Sequence, residues 1–229
     1  MTHPLDNPVL ASLTGPHARL ALTRGRAARY PADVAPFCAL PAEPDAAGWA
    51  DAARLLGPGE ALLFPGLDAA APPGWELLGL GEGVQLVATA LDAAPDEEAV
   101  PLGPADVRDM LSLTRRAQPG PFLPRTIEMG AYLGIRRDGE LVAMAGERLR
   151  PPGWTEISAV CTDPAWRGQG LASRLTRAVA AGIIARGDTP FLHALADNVT
   201  AVRLYKQLGF THRRDIQFRL LRHHETALP

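Results

Sequence analysis

The pattern of apolar and polar positions is weak at the start of the chain and sharp after about residue 100. Pro31, Pro36, Pro41, Pro44, Pro58, Pro65, Pro72 and Pro73 interrupt the first part. Between these breaks the pattern predicts short strands over 17–22, 61–64, 75–80 and 84–89, and one helix over 46–56. Asp45 is its expected N-cap and Gly57 its stop. The acidic, proline-containing stretch 92–104 reads as a join, with residues 100–102 as a first short strand of the second region. A small N-terminal α/β region over 1–95 and a second domain over 96–229 are therefore expected.

In the second domain, 104–118 reads as a helix with Ala105, Val107, Met110, Leu111 and Leu113 as its apolar positions. A short helix over 126–132 comes after the broken loop PGPFLP. Asp138 and Gly139 lie between two strand-like runs, 134–137 and 141–150, and signal a type I′ hairpin. Residues 154–162 form a further strand. Leu171, Leu175, Ala178, Val179, Gly182 and Ile183 share one face of a long helix over 170–185. A strand over 190–195, a helix over 198–208 capped by Asp197 or Asn198 and closed by Gly209, and one or two strands over 211–222 complete the chain. The class is α+β, with helices alternating with strands over the last half and hairpins at either end.

Composition narrows the partners. The 229 residues are 47% hydrophobic and 21% charged, with a net charge of −2. That balance excludes a disordered chain and carries no footprint for nucleic acid or an anionic membrane. Lys206 is the single lysine among 23 basic residues, which reads as compositional bias. Cys38 and Cys161 match no metal or disulfide spacing and are expected to be buried thiols. The opening residues lack a basic stretch followed by an apolar one, so no signal peptide is expected, and a cytoplasmic monomer or homodimer is expected. His212, His223 and His224 lack acidic or cysteine partners at ligand spacing, so no metal is expected.

The chemistry concentrates in DPAWRGQGLA, residues 163–172, between a strand and the long helix. Gly168 and Gly170 leave backbone N–H groups bare at a helix start, and Arg167 adds positive charge, so the stretch suits a phosphate. A dinucleotide fingerprint fails on position. Ser173 stands where its third glycine belongs, and Asp188 precedes the next strand instead of ending it.

These residues resemble the GCN5-related N-acetyltransferase (GNAT) superfamily, over roughly residues 100–222. Arg167 to Ala172 is similar to that family's pyrophosphate loop. Asp197 and Asn198, then Leu204 and Tyr205, then Leu208 to Phe210 are similar to its second signature. The wording around Phe191 to Asn198 resembles the FR47-like branch, related to glycine N-acyltransferases. The resemblance implies the GNAT fold, an α+β mixed, mainly antiparallel sheet with helices on both faces, allows the N-terminal region to be a degenerate half-domain of the same kind, and implies acetyl-CoA as co-substrate. The acceptor is a small-molecule or peptide amine. The implied activity is direct acetyl transfer to a primary amine, with an amino-acid (glycine-type) N-acyltransferase or a non-catalytic acyl-CoA-binding module as alternatives.

It also assigns roles. Val160, Cys161 and Thr162 run beside the pantetheine arm, while Arg167, Gly168, Gln169, Gly170, Leu171 and Ala172 hold the pyrophosphate. Asn198 bonds the arm, and Tyr205 protonates the leaving thiolate or packs in the core. The attacking amine needs a base, and Glu156 or His193 supplies it; alternation points His193 away from Leu192 and into the cleft. Glu147 is a third candidate for touching substrate. The acceptor is expected among residues 115–132, with Phe122 and Tyr132 as apolar walls and Arg115, Arg116 and Arg125 available for a carboxylate.

Overall fold

The computed structural model describes residues 3–224. Helix α1 (Pro8–Leu13) leads into a small sheet of β1 (Leu22–Arg24), β2 (Ala27–Arg29) and β3 (Cys38–Ala39). After α2 (Ala46–Ala53) come β4 (Ala61–Pro65), β5 (Trp75–Ala88) and β6 (Val100–Leu102). Next are α3 (Val107–Ala117), the hairpin of β7 (Tyr132–Arg137) and β8 (Glu140–Glu147), and β9 (Trp154–Thr162). The chain ends with α4 (Leu171–Ala185), β10 (Thr189–Leu195), α5 (Val199–Gln207) and β11 (Phe210–His223). None of the helices among the described residues is long and apolar enough to cross a membrane.

Eight strands make one sheet in the order β4-β11-β5-β10-β9-β8-β7-β6. Every neighbouring pair is antiparallel except β9 and β10, which run parallel. β5 lies between β10 and β11, so the ladder runs across the expected division at residue 95. Helices α4 and α5 cover one face, where Leu171, Leu175, Val179, Ile183 and Tyr205 pack with Ile157 and Leu192. On the other face Leu5, Val9, Tyr30 and Phe37 of the N-terminal part pack with Phe191. Farther along, α3 closes over Met144, Ala159 and Cys161. Pro101 is tolerated in β6 because that strand is an edge.

Local signals set many boundaries as expected. Asp45 caps α2 by accepting from the Gly48 N–H at 2.8 Å. Asp138 and Gly139 both have positive φ, 51° and 83°, as a type I′ turn requires. Three expectations need correction. Residues 17–22 do not form a strand: Ala18–Leu20 is a 3₁₀ turn, and the buried His17 ring is tied to the Tyr30 hydroxyl at 2.8 Å. The two short strands over 75–80 and 84–89 are one, β5, running through Gly79, Gly81 and Gly83. These glycines are not breaks: a Cβ on Gly83 would lie 2.4 Å from the Phe218 ring of β11, so the residue makes room for a neighbour. The helix over 126–132 stops at Met129, and Tyr132 opens β7 opposite Gly146.

A Cβ at Gly146 would fall 2.2 Å from the Tyr132 ring, which is itself 2% exposed and has nowhere to move. Gly146→Ala should therefore destabilise the fold by about 1–3 kcal/mol, the usual range for overpacking a core. Urea denaturation reads this directly; an unchanged midpoint would show that the ring relocates freely.

Candidate active site

β9 and β10 hydrogen-bond only at their beginnings, where Thr189, Pro190 and Phe191 face Trp154, Thr155 and Glu156. Beyond that point β10 stays with β5 as far as Leu195, while β9 stays with β8. β9 carries a bulge there. Met144 and Gly146 of β8 pair with Cys161 and Ser158, two steps against three, and Ala159 sits at φ 52°. A bulge bends its strand and re-aims side chains. It explains why Ile157 and Val160, an odd number of residues apart, pack toward the same core. The parting opens a cleft of about 560 Å³ through the sheet, lined from both faces. Asn198, Ala201 and Tyr205 border it on the α5 side; Phe37, Arg148, His193 and Phe218 border it on the other.

Parallel strands send their following helices off from the same end, so α4 and α5 both begin beside this cleft. The loop before α4 is shaped by short-range bonds. Asp163 accepts from the Ala165 N–H at 2.9 Å and holds Arg116 at 2.6 Å. Gly168 and Gly170 take φ of 81° and 74°, and Gly170 is the N-cap of α4, with no side chain capping the helix. Nothing stands within 4 Å of the Cβ position of either glycine. Leu171 anchors the helix start in the core, while Arg167, Gly168, Gln169 and Gly170 are exposed. Ala172 lies half-buried beside them. Bare amides, a helix N-terminus and Arg167 fit a pyrophosphate group.

On the opposite face, Glu156, His193 and Gln85 lie side by side on β9, β10 and β5. Glu156 is fully buried and receives Arg148 on both oxygens, Nη2 to Oε1 at 2.8 Å and Nε to Oε2 at 3.0 Å. The Leu149 N–H adds a bond at 3.2 Å, and His193 Nδ1 lies 2.7 Å from Oε1. Burial alone would raise this carboxyl, but the guanidinium and the imidazole hold it well below the usual carboxylate range. On its far side, His193 Nε2 lies 3.0 Å from Gln85 Nε2. Arg213 can only donate, and it touches Gln85 Oε1 at 2.8 Å, which fixes the amide orientation. Gln85 Nε2 therefore donates to His193 Nε2, and the ring carries its proton on Nδ1 toward Glu156. Arg213 in turn holds Asp6 at 2.6 Å. Arg148, Gln85 and Arg213 carry no sequence signal, because only strand register brings them to His193.

The remaining site expectations divide. Tyr205 lines the cleft, and burial pushes its hydroxyl up to about 12. Val160 lines it as well. Cys161 turns away into the α3 core, where burial raises its thiol to about 12. The Thr162 hydroxyl is buried with no partner among the described residues. Asn198 spends its Oδ1 capping α5 at the Ala201 N–H, 3.1 Å, and borders the cleft. Glu147 does not join the site; it is buried against Arg186 at 2.6 Å. Phe122 and Tyr132 are not walls but core, their rings 5.5 Å apart. Arg116 serves Asp163, and Arg125 serves Glu128 and Asp33. Of the 115–132 stretch, Gln118 to Pro121 reach the cleft. A second cavity of about 580 Å³, beside α1 and the turn after β4, holds none of the expected site residues.

Glu156→Gln removes the charge that balances buried Arg148, and breaking such a pair costs about 3–5 kcal/mol. Because the folded carboxyl is held below its unfolded value, the stabilisation is present above the unfolded value and disappears as pH falls through the folded one. Urea midpoints for wild type should therefore fall on acidification, while those of the variant should start lower and fall less steeply. Parallel curves for the two proteins would show that this carboxylate is not what acid attacks.

Residues 132–219 match the family model described as FR47-like protein. A solved GNAT-family protein from Novosphingobium aromaticivorans superposes with a TM-score of 0.90 at 39% identity, covering 97% of this chain and 100% of that one. N-alpha-acetyltransferase RimI of Mycobacterium tuberculosis is 39% identical over 82 residues, covering 34% of this chain and 51% of the relative. Mycothiol acetyltransferase of Mycobacterium avium is 42% identical over 71 residues, 28% of this chain and 22% of the relative. The chain thus spans about half, or less, of the length of these two curated relatives. With a full-length structural relative at that identity and the cleft built as described, the chain belongs to the GNAT family of acetyltransferases.

Proposed function

We propose that the chain is an N-acetyltransferase that moves the acetyl group of acetyl-CoA directly to a primary amine within one ternary complex. The observation that carries this reading is the two-sided cleft. The donor approaches from the α4 and α5 side, its pyrophosphate on residues 167–172 and its pantetheine along the free edge of β9, near Val160 and Asn198. An extended amide-bearing arm gains there the backbone bonds that β10 has given up. The amine approaches from the face of Arg148 and His193. Cys161, the thiol nearest in sequence, faces the α3 core, which favours attack by the amine over an acetyl-cysteine intermediate.

The amine nitrogen attacks the thioester carbonyl, its lone pair forming the C–N bond. The tetrahedral intermediate then expels the thiolate. The amine proton passes to His193 Nε2 once the Gln85 amide turns aside, and Glu156, already ionised, stabilises the resulting imidazolium. Glu156 and His193 thus act as one pair: the imidazole takes the proton and the carboxylate orients it, as in other His–carboxylate couples. Tyr205 serves the leaving sulfur from the other face. By its name alone the RimI relative supports transfer to an amine, and the mycothiol acetyltransferase relative supports acetyl transfer.

Acetyl-CoA should raise thermal stability by about 2.7 kcal/mol at a hundredfold excess over its Kd. Gly170→Glu, which sets a carboxylate where phosphate belongs, should abolish the shift. No shift with wild type at saturating acetyl-CoA would sink the donor assignment. Initial-rate patterns should intersect, and intact mass should show no acetylated chain after incubation with donor alone; parallel lines with an acetyl-enzyme would overturn direct transfer.

Tyr205→Phe should retain donor affinity and lower kcat about a hundredfold. An unaltered kcat with chemistry rate-limiting would return Tyr205 to core packing. His193→Gln should lower kcat/KM about a hundredfold while donor affinity stays intact. An unchanged kcat/KM in that variant would move the base elsewhere.

A further inference from the structure

Resting on the acetyl-transfer reading above, we infer that the N-terminal part of the chain builds the acceptor wall. That wall selects a primary amine that carries one apolar group and no second positive charge. The wall on the His193 side comes from Phe37, Leu63, Leu80, Phe218 and Leu220. Phe37 and Leu63 belong to the region before residue 96, and an isolated parallel bridge joins them. Leu80 and Leu220 come from the β5–β11 ribbon that this region shares with the rest of the sheet.

The charge inventory of this wall decides the class. Among the described residues, no aspartate or glutamate lines the cleft. Its one formally charged lining side chain is Arg148, whose Nε and Nη2 are already committed to Glu156 and whose guanidinium lies 5.0 Å from the centre of the Phe37 ring. A polyamine or an amino sugar would bring a second ammonium to an apolar wall whose nearest carboxylate, Glu156, is already taken up by Arg148 and His193. Without a carboxylate partner that charge loses its hydration uncompensated. A single amine on an apolar group leaves its hydration at one atom, faces His193, and buries the rest against leucine and phenylalanine side chains. The same surroundings favour the neutral, nucleophilic form of the amine over the ammonium.

The test compares phenethylamine and leucinamide with spermidine and an aminoglycoside, using the full chain saturated with acetyl-CoA and measuring coenzyme A release with product mass. The expected result is a kcat/KM for the apolar monoamines about a hundredfold or more above that for the polycations. Leu80 is 52% exposed, so Leu80→Glu keeps the fold while adding a carboxylate to the wall. It should raise the ratio of spermidine to phenethylamine turnover about tenfold. Phe37→Ala should raise KM for phenethylamine and leave acetyl-CoA affinity unchanged. Turnover of spermidine or the aminoglycoside equal to that of the monoamines overturns the acceptor class and leaves acetyl transfer standing. The same holds for a ratio that Leu80→Glu does not move. Coenzyme A release with none of the four amines, in a protein that binds acetyl-CoA, overturns both.

Discussion

In the middle of a sheet, backbone N–H and C=O groups are normally consumed by neighbouring strands, and leaving them open is costly unless something else fills the place. β9 and β10 break that rule just past Glu156 and Phe191. Each is held by its outer neighbour, β8 or β5, and the extra residue at Ala159 bends β9 further away. The functional geometry depends on this parting. The helices that follow both strands leave from the open end, where the strand edge is left without a neighbour. Because the opening passes through the sheet, side chains from opposite faces border one space without touching each other.

The acceptor face carries the more expensive construction. Arg148 and Glu156 are a buried ion pair, and desolvating two charges can outweigh their attraction. What makes the arrangement tolerable is saturation: the carboxylate receives Arg148 twice, the Leu149 amide and His193. The N-terminal part then seals it. Phe37 lies against the guanidinium, and Gln85 ties His193 to the Leu5 carbonyl at 2.9 Å. Arg213 links the same amide to Asp6. The region that lacks any motif is thus bonded to the imidazole through Gln85, which is itself held by the Leu5 carbonyl and by Arg213.

What can be read from sequence is local. The Asp138–Gly139 turn, the Asn198 cap and the Gly168–Gly170 loop each depend on a few adjacent residues, and each is placed as expected. Tertiary facts are opaque. Gly81 and Gly83 look like strand breaks until Phe218, far along the chain, is seen lying across them. Glu147 looks as available as Glu156, because only folding shows that Arg186 takes one and Arg148 the other. Glu156 and His193 read as rival bases along the chain, whereas their 2.7 Å contact makes them partners. Phe122 and Tyr132 suggest an acceptor wall but pack on each other; the residues proposed to form it, from 37 to 220, have no common sequence signal.

The placement of Tyr205 constrains how the sulfur leaves. With its hydroxyl pushed up to about 12, it is fully protonated at neutral pH and available as a donor. An ordinary thiol titrates near ~8.5, below a tyrosine hydroxyl, so complete transfer from Tyr205 to a thiolate would run uphill. A tyrosinate left in that desolvated place is not a resting product. Under the proposed mechanism the hydroxyl acts chiefly by a hydrogen bond that strengthens as charge grows on sulfur, which is where preorganised donors stabilise a transition state most. If it does release its proton, it must regain one in the same step, and the protonated nitrogen of the tetrahedral intermediate is the nearest source. That nitrogen is also the proton donor to the His193–Glu156 pair on the other face. In the proposed mechanism the two sides of the sheet then compete for one proton, and the Gln85 contact at His193 Nε2 is what the imidazole must give up to take it.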